Sequence, residues 1–324
     1  AVTVVDTTAL DLLALSAASL SVTAGGAVTD SGTLAITGAT TISASGQDIT
    51  LDEAASTFGA LALTGANVAV TENAATDLAA STVSGTLGIT SAGAVTDSGT
   101  LAITGATTIS ASGQDITLDE AASTFGTLAL TGSNVAVTEN AAMDLGASTI
   151  GGTANFNSTS NVITDSGTLA ITGATTINAG TADITLDQAA STFGALALTG
   201  ANVAVTENAA TDLAASTVSG TLGVTSTGAV TDSGTLAITG ATTISASGQD
   251  ITLDEAASTF GTLALTGANV AVTENAATDL GASTVGGTLG ITSAGAVTDS
   301  GTLAITGATT ISASGQDITL DEAA

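Results

Sequence analysis

Residues 31–97 read SGTLAITGATTISASGQDITLDEAASTFGALALTGANVAVTENAATDLAASTVSGTLGITSAGAVTD, and the strings in this stretch return along nearly the whole chain. The heptapeptide SGTLAIT begins at Ser31, Ser98, Ser166, Ser233 and Ser300. Its copies therefore follow one another at a nearly constant interval, and the second interval is longer than the others by one residue. Self-similarity at a fixed period of about 67 residues is typical of proteins that stack one structural unit many times.

The period divides the 324 residues into units that we expect to form a single continuous domain. These units are 1–30 (partial and degenerate), 31–97, 98–165, 166–232, 233–299 and 300–324 (partial). One residue is added near Ser160, which indicates an insertion absorbed in a single turn. Because both ends fall in mid-repeat, we expect further repeats on either side in a longer precursor, or subunits joined end to end.

Within a unit, apolar residues alternate with Ala, Thr or Gly in short runs. The apolar pairs are Leu34 and Ile36, Ile49 and Leu51, Leu61 and Leu63, Val68 and Val70, and Leu87 and Ile89. Alternation predicts strands, and the Gly, Asn, Ser and Asp residues between the runs predict turns. We expect the aliphatic side chains to point inward and the Thr and Ser side chains to face water.

A weaker period of about 20 residues lies inside the unit, since DEAASTFGALALTG (52–65) aligns with ENAATDLAASTVSG (72–85). Three such coils leave the segment ASGQDITL (111–118) over, which we assign to an extra short strand or loop. The sequence therefore predicts an all-β fold, a parallel β-helix (β-solenoid) with about three coils per 67-residue repeat. Antiparallel sandwich domains are the alternative, but a unit of this length without Trp or Tyr is short for that fold.

The composition excludes most catalytic chemistry, because the chain contains no Lys, Arg, His, Cys, Trp, Tyr or Pro. A Ser or Thr nucleophile would have no basic side chain to accept its proton. We therefore expect no enzyme activity and no catalytic, cofactor-binding or metal-binding residue. The formal charge of −29 makes nucleic acid and anionic membranes poor partners. No apolar run is long enough to cross a bilayer, so we expect no membrane insertion.

The acidic residues recur as a set in every unit, and we expect them to be solvated at turns. One unit carries Asp48, Asp52, Glu53, Glu72, Asp77 and Asp97. The 20-residue offset could place Asp52 beside Glu72 and Asp77 beside Asp97 on adjacent coils. Such pairs would repel, and a bound cation would reverse the sign of the interaction, so weak Ca²⁺ sites are an alternative to plain solvation.

Aromatic and amide residues occupy fixed positions of the repeat. The aromatic position is filled by Phe58, Phe125, Phe193 and Phe260, with Phe156 as the fifth aromatic residue. We expect these side chains to fill the core. The amide position is filled by Asn67, Asn134, Asn202 and Asn269, where we expect turn or stacked-amide contacts. The abundance of Thr raises ice binding as a less favoured function, because TGATTIS returns only once per unit.

The quoted unit also resembles a known family. Residues 31–82 and the segment TLGITSAGAVTD (86–97) resemble repeats of giant filamentous-haemagglutinin-like bacterial adhesins, with blocks of the type AGGAITDSGxLTVxGTTTLxAG and NDITLDNAxNDFG. The resemblance covers essentially the whole chain. It implies a right-handed parallel β-helix and export across both membranes of a Gram-negative bacterium. Nothing here matches that family's secretion or haemagglutination domains, so the resemblance assigns no adhesive specificity to these residues.

Together, the residues and the resemblance predict an extracellular structural or adhesive fibre segment at the bacterial cell surface. Such a segment would act as a rigid, protease-resistant filament or stalk in adhesion, aggregation or a biofilm matrix. The expected partners are further copies of the chain, end to end or side by side, and other cells or matrix through regions outside this segment. The alternative is a self-assembling filament or surface-layer protein with no adhesive role.

Overall fold

A computed structural model describes residues 1–321 of the chain. Within this range the regular structure consists of 44 short strands, and no helix is formed. The chain divides into two compact units, each of which contains several of the 67-residue repeats. We call Ala1–Thr159 unit 1 and Ser160–Ala324 unit 2. The prediction of one continuous domain stays a prediction, and the end of the predicted unit 300–324 lies outside the described residues.

Unit 1 contains the first 22 strands. They are β1 (Val2–Asp6), β2 (Leu10–Leu12), β3 (Leu15–Ala17), β4 (Leu20–Ala24), β5 (Val28–Asp30), β6 (Leu34–Ile36), β7 (Thr40–Ser43), β8 (Ile49–Leu51), β9 (Ala60–Gly65), β10 (Val68–Glu72), β11 (Thr76–Leu78), β12 (Ser81–Val83), β13 (Leu87–Ser91), β14 (Val95–Asp97), β15 (Leu101–Ile103), β16 (Thr107–Ser110), β17 (Ile116–Leu118), β18 (Thr127–Gly132), β19 (Val135–Thr138), β20 (Met143–Leu145), β21 (Ser148–Ile150) and β22 (Ala154–Asn157).

Unit 2 contains the remaining 22 strands of the described range. They are β23 (Ile163–Asp165), β24 (Leu169–Ile171), β25 (Thr175–Asn178), β26 (Ile184–Leu186), β27 (Leu196–Gly200), β28 (Val203–Glu207), β29 (Thr211–Leu213), β30 (Ser216–Val218), β31 (Leu222–Ser226), β32 (Val230–Asp232), β33 (Leu236–Ile238), β34 (Thr242–Ser245), β35 (Ile251–Leu253), β36 (Thr262–Gly267), β37 (Val270–Glu274), β38 (Thr278–Leu280), β39 (Ser283–Val285), β40 (Leu289–Ser293), β41 (Val297–Asp299), β42 (Leu303–Ile305), β43 (Thr309–Ser312) and β44 (Ile318–Thr319).

Each strand pairs in parallel with strands about one coil before and after it. Val68 of β10 lies opposite Leu87 of β13, Leu87 lies opposite Thr107 of β16, and Thr107 lies opposite Leu128 of β18. Parallel pairing of strands that are about 20 residues apart in sequence is the geometry of a solenoid. Each unit is thus a parallel β-solenoid, which confirms the predicted fold and excludes antiparallel sandwiches.

The coils have two main walls, which we name wall A and wall B after the two large sheets. In unit 1, wall A is formed by β1, β4, β7, β9, β11, β12, β14, β15, β17, β19 and β22. Wall B is formed by β2, β5, β8, β10, β13, β16, β18, β20 and β21. The strands β3 and β6 form a small separate sheet. The chain passes from one wall to the other twice per coil.

The number of wall passages per repeat fixes how successive repeats are oriented. From β10 to β18 the chain runs along a wall seven times, and each such run is one wall passage. In this count β11 with β12 is one passage, and so is β14 with β15. Seven passages on a two-walled coil make three and a half coils, which refines the predicted value of about three. Because seven is odd, equivalent residues lie on opposite walls in successive repeats: LGITS of β13 is on wall B, but LSVTA of β4 is on wall A.

The core is made of inward-facing aliphatic columns, as the alternation predicted. One column runs through Val70, Ile89, Ile109 and Leu130, and each of these side chains is at most 2% exposed. Burying an aliphatic side chain of this size contributes about 1.5–3 kcal/mol. The columns therefore account for the stability of strands that are only a few residues long.

The repeat-position phenylalanines are also buried, as predicted. Phe58, Phe125, Phe193 and Phe260 are 6–8% exposed, and Phe156 is fully buried. The expected core-filling role of all five aromatic residues is confirmed.

The segment left over by the 20-residue period forms a turn and a strand, as expected. In 111–114, the Gln114 amide donates to the Ala111 carbonyl oxygen, and Gly113 has a positive φ of 76°. Strand β17 follows and forms one of the seven wall passages of the repeat. The added residue near Ser160 also lies in a turn, where Thr159 and Ser160 have positive φ, and unit 2 then repeats the strand spacing of unit 1.

Candidate functional surfaces and buried carboxylates

Four glutamates are buried inside the walls, contrary to the expectation that all carboxylates are solvated. They are Glu72, Glu139, Glu207 and Glu274, each at most 2% exposed. In each case one carboxylate oxygen accepts a hydrogen bond from the amide of the preceding repeat-position phenylalanine, at 2.7–2.9 Å. Each glutamate therefore fixes the turn that contains this phenylalanine.

Burial raises the pKa of all four glutamates, and the backbone hydrogen bond opposes this effect. The pKa of Glu139 is raised furthest, to about 7. At Glu274, the Thr278 hydroxyl donates to the second carboxylate oxygen at 2.8 Å. Met143 occupies the position of that threonine in the repeat 98–165 and has no hydroxyl to donate. Among the described residues, Glu139 Oε2 is buried without a hydrogen-bond partner, and the same holds for Glu72 Oε2 and Glu207 Oε2.

A second set of inward carboxylates holds the turns that carry the other acids. Asp97, at the end of β14, accepts the amide of Asp119 at 2.8 Å and the amide of Glu120 at 3.3 Å. Burial raises the pKa of Asp97, and the charges of Asp119 and Glu120 add to this rise. The same bond to the first residue of the following acidic turn is made by Asp30, Asp165, Asp232 and Asp299.

The two carboxylate pairs from which weak Ca²⁺ sites were raised as an alternative to solvation do not form. Asp97 lies opposite Leu78, so Asp97 points inward while Asp77 points outward on the neighbouring coil. Likewise, Leu51 lies opposite Val70, which places Asp52 one position out of register with Glu72. The expectation fails because the true offset in these places is one position shorter than the 20-residue period, and a shift of one position reverses the direction of a side chain.

The sequence contained the signal for the inward carboxylates. In VAVTE the glutamate lies two residues after Val70, and in VTD the aspartate lies two residues after Val95. Strict alternation therefore places both carboxylates in the inward phase. Reading acidic residues as turn residues by type alone missed this phase.

The asparagines form the contacts predicted for them, at an exposed corner. The Asn67 side-chain amide donates to Asp48 Oδ1 at 2.9 Å, and Asn67 Oδ1 accepts the amide of Thr86 at 3.1 Å. The same ladder is built by Asn134, Asn202 and Asn269. These ladders join three successive coils by side-chain bonds and leave the Asn with a structural role.

Two further features of residues 1–321 bear on chemistry. No group of three or more acidic side chains in this range is placed to hold a metal ion. The same range contains no helix of the length and apolarity needed to span a membrane. The buried carboxylates are instead bound by backbone amides that lie 14 or more residues away in the sequence.

Comparison with known proteins identifies the family to which the repeat belongs. The model of the family "Repeats of unknown function (DUF5649)" matches residues 1–64, 65–131, 132–199, 200–266 and 267–324. The chain belongs to this family. No curated protein and no solved structure matches it. The internal DUF5649 matches have the same period as SGTLAIT, so one DUF5649 repeat corresponds to seven wall passages.

Proposed function

We propose that this DUF5649 chain is a segment of an extracellular structural fibre of a bacterium, which holds other parts of its protein at a distance from the cell and has no catalytic role. The observation that carries the proposal is the unbroken parallel pairing in each unit, in which every repeat adds the same three and a half coils. Length then increases in proportion to the number of repeats, as a spacer requires.

The location and the type of partner are supported by the sequence. The resemblance to filamentous-haemagglutinin-like adhesins favours secretion, and the absence of Lys and Arg removes every trypsin cleavage site. We propose that adhesion, aggregation or biofilm formation is performed by regions outside this segment. The repeats would then serve as a stalk, with further copies of the chain as neighbours.

The spacer role can be tested by measuring length against repeat number. With coils about 4.8 Å apart, three and a half coils add about 17 Å per repeat. Chains built with increasing numbers of the 67-residue unit should lengthen by this amount per unit in electron micrographs, at constant width. A globular particle whose width grows with repeat number would contradict the proposal.

Secretion and adhesion need separate tests. Antibodies raised against the repeats should label intact cells of the source organism as strongly as permeabilised cells. Purified repeats should fail to compete with whole cells for attachment, because binding specificity lies elsewhere. Labelling only after permeabilisation would refute the extracellular location, and efficient competition would assign adhesion to the repeats themselves.

A further inference from the structure

The outward-facing residues of four consecutive wall B strands in unit 1 carry no charge. The strands are β10, β13, β16 and β18, and we name the outward residues that are aligned across all four strands the hydroxyl face of unit 1. It consists of Ala69, Thr71, Gly88, Thr90, Thr108, Ser110, Ala129 and Thr131. Register aligns them in two columns, one of small residues with a single Thr, and one in which every residue has a hydroxyl. The only carboxylate on these strands, Glu72, points inward.

The opposite wall at the same level is acidic. There β11 presents Asp77 on the outward side, and the Asp119–Glu120 turn follows directly after β17. Asp119 and Glu120 are both exposed. Each level of the coil thus has one uncharged wall and one acidic wall.

Unit 2 shows the same arrangement independently. Its wall B strands β28, β31, β34 and β36 pair in one register, and the outward residues that are aligned across all four strands form the hydroxyl face of unit 2. These residues are Ala204, Thr206, Gly223, Thr225, Thr243, Ser245, Ala264 and Thr266. The acidic residues of the same repeat, Asp212, Asp254 and Glu255, belong to the other wall or its turns.

The odd number of wall passages turns this segregation into an alternating pattern. In unit 1 the equivalent face of the preceding repeat lies on wall A, in β1, β4, β7 and β9, where it includes Thr23. In unit 2 the following repeat places Thr292 of β40 on wall A. An uninterrupted array of repeats would therefore carry a hydroxyl face on each wall once every two repeats, or about every 34 Å.

The hydroxyl face is flat and its side chains are small, so another flat sheet can approach it closely. Four strands about 4.8 Å apart and about five residues long cover roughly 300 Å². A specific protein interface buries about 800 Å² on each partner. One face is therefore too small for a stable complex, and about three faces of an uninterrupted array of repeats would be needed to reach this area.

We propose that the hydroxyl faces are the surfaces through which two copies of this chain associate side by side. The proposal rests on the fibre function and names the partner of the fibre. The charge distribution determines this choice: the chain has 29 acidic residues and no Lys, Arg or His, so two copies repel wherever acidic walls meet. The hydroxyl faces are broad outward strand surfaces that carry no carboxylate of their own, so the contact on the faces themselves brings no acidic side chains together.

This geometry gives the association a distinctive salt dependence. Where two chains meet along hydroxyl faces, their acidic stretches face each other between the contacts. Salt screens that repulsion over a Debye length of about 8 Å at physiological ionic strength. Association should therefore strengthen as salt is added, whereas contacts between opposite charges weaken.

The test compares two matched sets of substitutions in the complete 324-residue chain. The first places a charge on the hydroxyl faces at four exposed positions: Thr23→Asp, Thr90→Asp, Thr225→Asp and Thr292→Asp. The control adds the same charge at four exposed turn positions away from these faces: Thr33→Asp, Thr100→Asp, Thr168→Asp and Thr235→Asp. Circular dichroism checks that both variants fold, and sedimentation velocity across a salt series measures association.

We expect the unaltered chain and the turn variant to associate increasingly with salt, and the hydroxyl-face variant to stay monomeric. A chain that is monomeric at every salt and protein concentration, or a hydroxyl-face variant that associates like the control, would overturn the proposal. Thermal hysteresis that is lost only in the hydroxyl-face variant would also overturn it, by assigning the face to ice. The length gained per repeat is measured on monomers, so the fibre function can stand when association fails.

Discussion

At the scale of single residues, the unusual feature is that carboxylates are placed in the core of a chain that has no basic side chain. Each of them is bound to backbone amides, which replaces part of the hydration lost on burial. At Glu274 the Thr278 hydroxyl adds a bond, and both carboxylate oxygens are bound. Glu139 lacks this second bond, and burial raises its pKa to about 7.

The first prediction concerns this glutamate. Glu139→Gln keeps an oxygen that can accept the Phe125 amide and removes the buried charge, so it should stabilise the fold at pH 8 by about 1–2 kcal/mol. At pH 4 the wild-type side chain is already neutral, and the gain should vanish. Thermal melts at both pH values measure the effect.

Met143→Thr is the matched control for this prediction. It restores the ENAATDL string of the other repeats and supplies the hydroxyl that Thr278 gives to Glu274. It should lower the pKa of Glu139 and recover part of the gain at pH 8. A loss of stability at pH 8 in Glu139→Gln would show that the second oxygen is bound in a way that Gln cannot reproduce.

The second prediction concerns the aspartate that holds the DE turn. Asp97→Ala leaves the amides of Asp119 and Glu120 without their acceptor, which should cost about 1–3 kcal/mol in denaturant unfolding. Asp119→Ala removes an exposed carboxylate from the same turn and should change stability by less than about 0.5 kcal/mol. Equal effects of the two substitutions would mean that Asp97 holds nothing in place.

At the scale of the elements, the coil corners depend on backbone packing between neighbouring turns. Gly85, Gly105 and Gly126 lie above one another on three successive coils, and the Gly105 amide donates to the Gly85 carbonyl at 2.8 Å. A Cβ on Gly105 would lie 2.6 Å from that carbonyl oxygen. Glycine is required here by the close approach of two backbones.

The third prediction follows from this stack. Gly105→Ala forces the backbones of two coils apart and should destabilise the fold by about 1–3 kcal/mol. Gly88→Ala is the control, because a Cβ there meets its nearest atom only at 3.9 Å, in the middle of strand β13. The control should be neutral or stabilising by up to about 1 kcal/mol, since alanine loses less backbone entropy on folding. Equal destabilisation in both variants would refute the packing argument.

At the scale of the whole molecule, protonation and folding are linked in an unusual direction. Eight buried carboxyl groups have a raised pKa, whereas Asp6 at the end of β1 has a pKa lowered by its bonds to Thr8. A carboxyl group with a raised pKa in the folded state binds protons more tightly there than in the unfolded chain. Its contribution to stability is therefore greatest at low pH and falls as the pH rises.

The fourth prediction states the consequence. For Glu139 the loss of stability falls between the ordinary glutamate value of 4.5 and about 7, and mutual repulsion of the acidic residues adds to it. The melting temperature should rise as the pH is lowered from 8 to about 5, whereas most proteins lose stability as their carboxylates are protonated. A melting temperature that falls steadily over this range would contradict the burial of these groups.

Much of this architecture follows from the sequence alone, because it depends on local periodicity. The repeat period, the short strands, the aliphatic columns, the buried phenylalanines and the Asn corners are each encoded within a few residues. The inward phase of Glu72 and Asp97 was also present in the alternation, although reading by residue type overlooked it. The sequence likewise determined that all the side-chain charge is negative.

What only the tertiary structure decided is which residues stack on which. Coil length varies, since Leu61 lies opposite Leu78 on the next coil whereas Ala35 lies opposite Thr57. Pairing therefore depends on how each corner packs, and an error of one position moves a carboxylate from the core to the surface. The seven wall passages per repeat, and hence the alternation of hydroxyl and acidic faces, result from the sum of these offsets. The repeat period alone does not determine which wall a residue lies on. That is decided only when the coils close and stack.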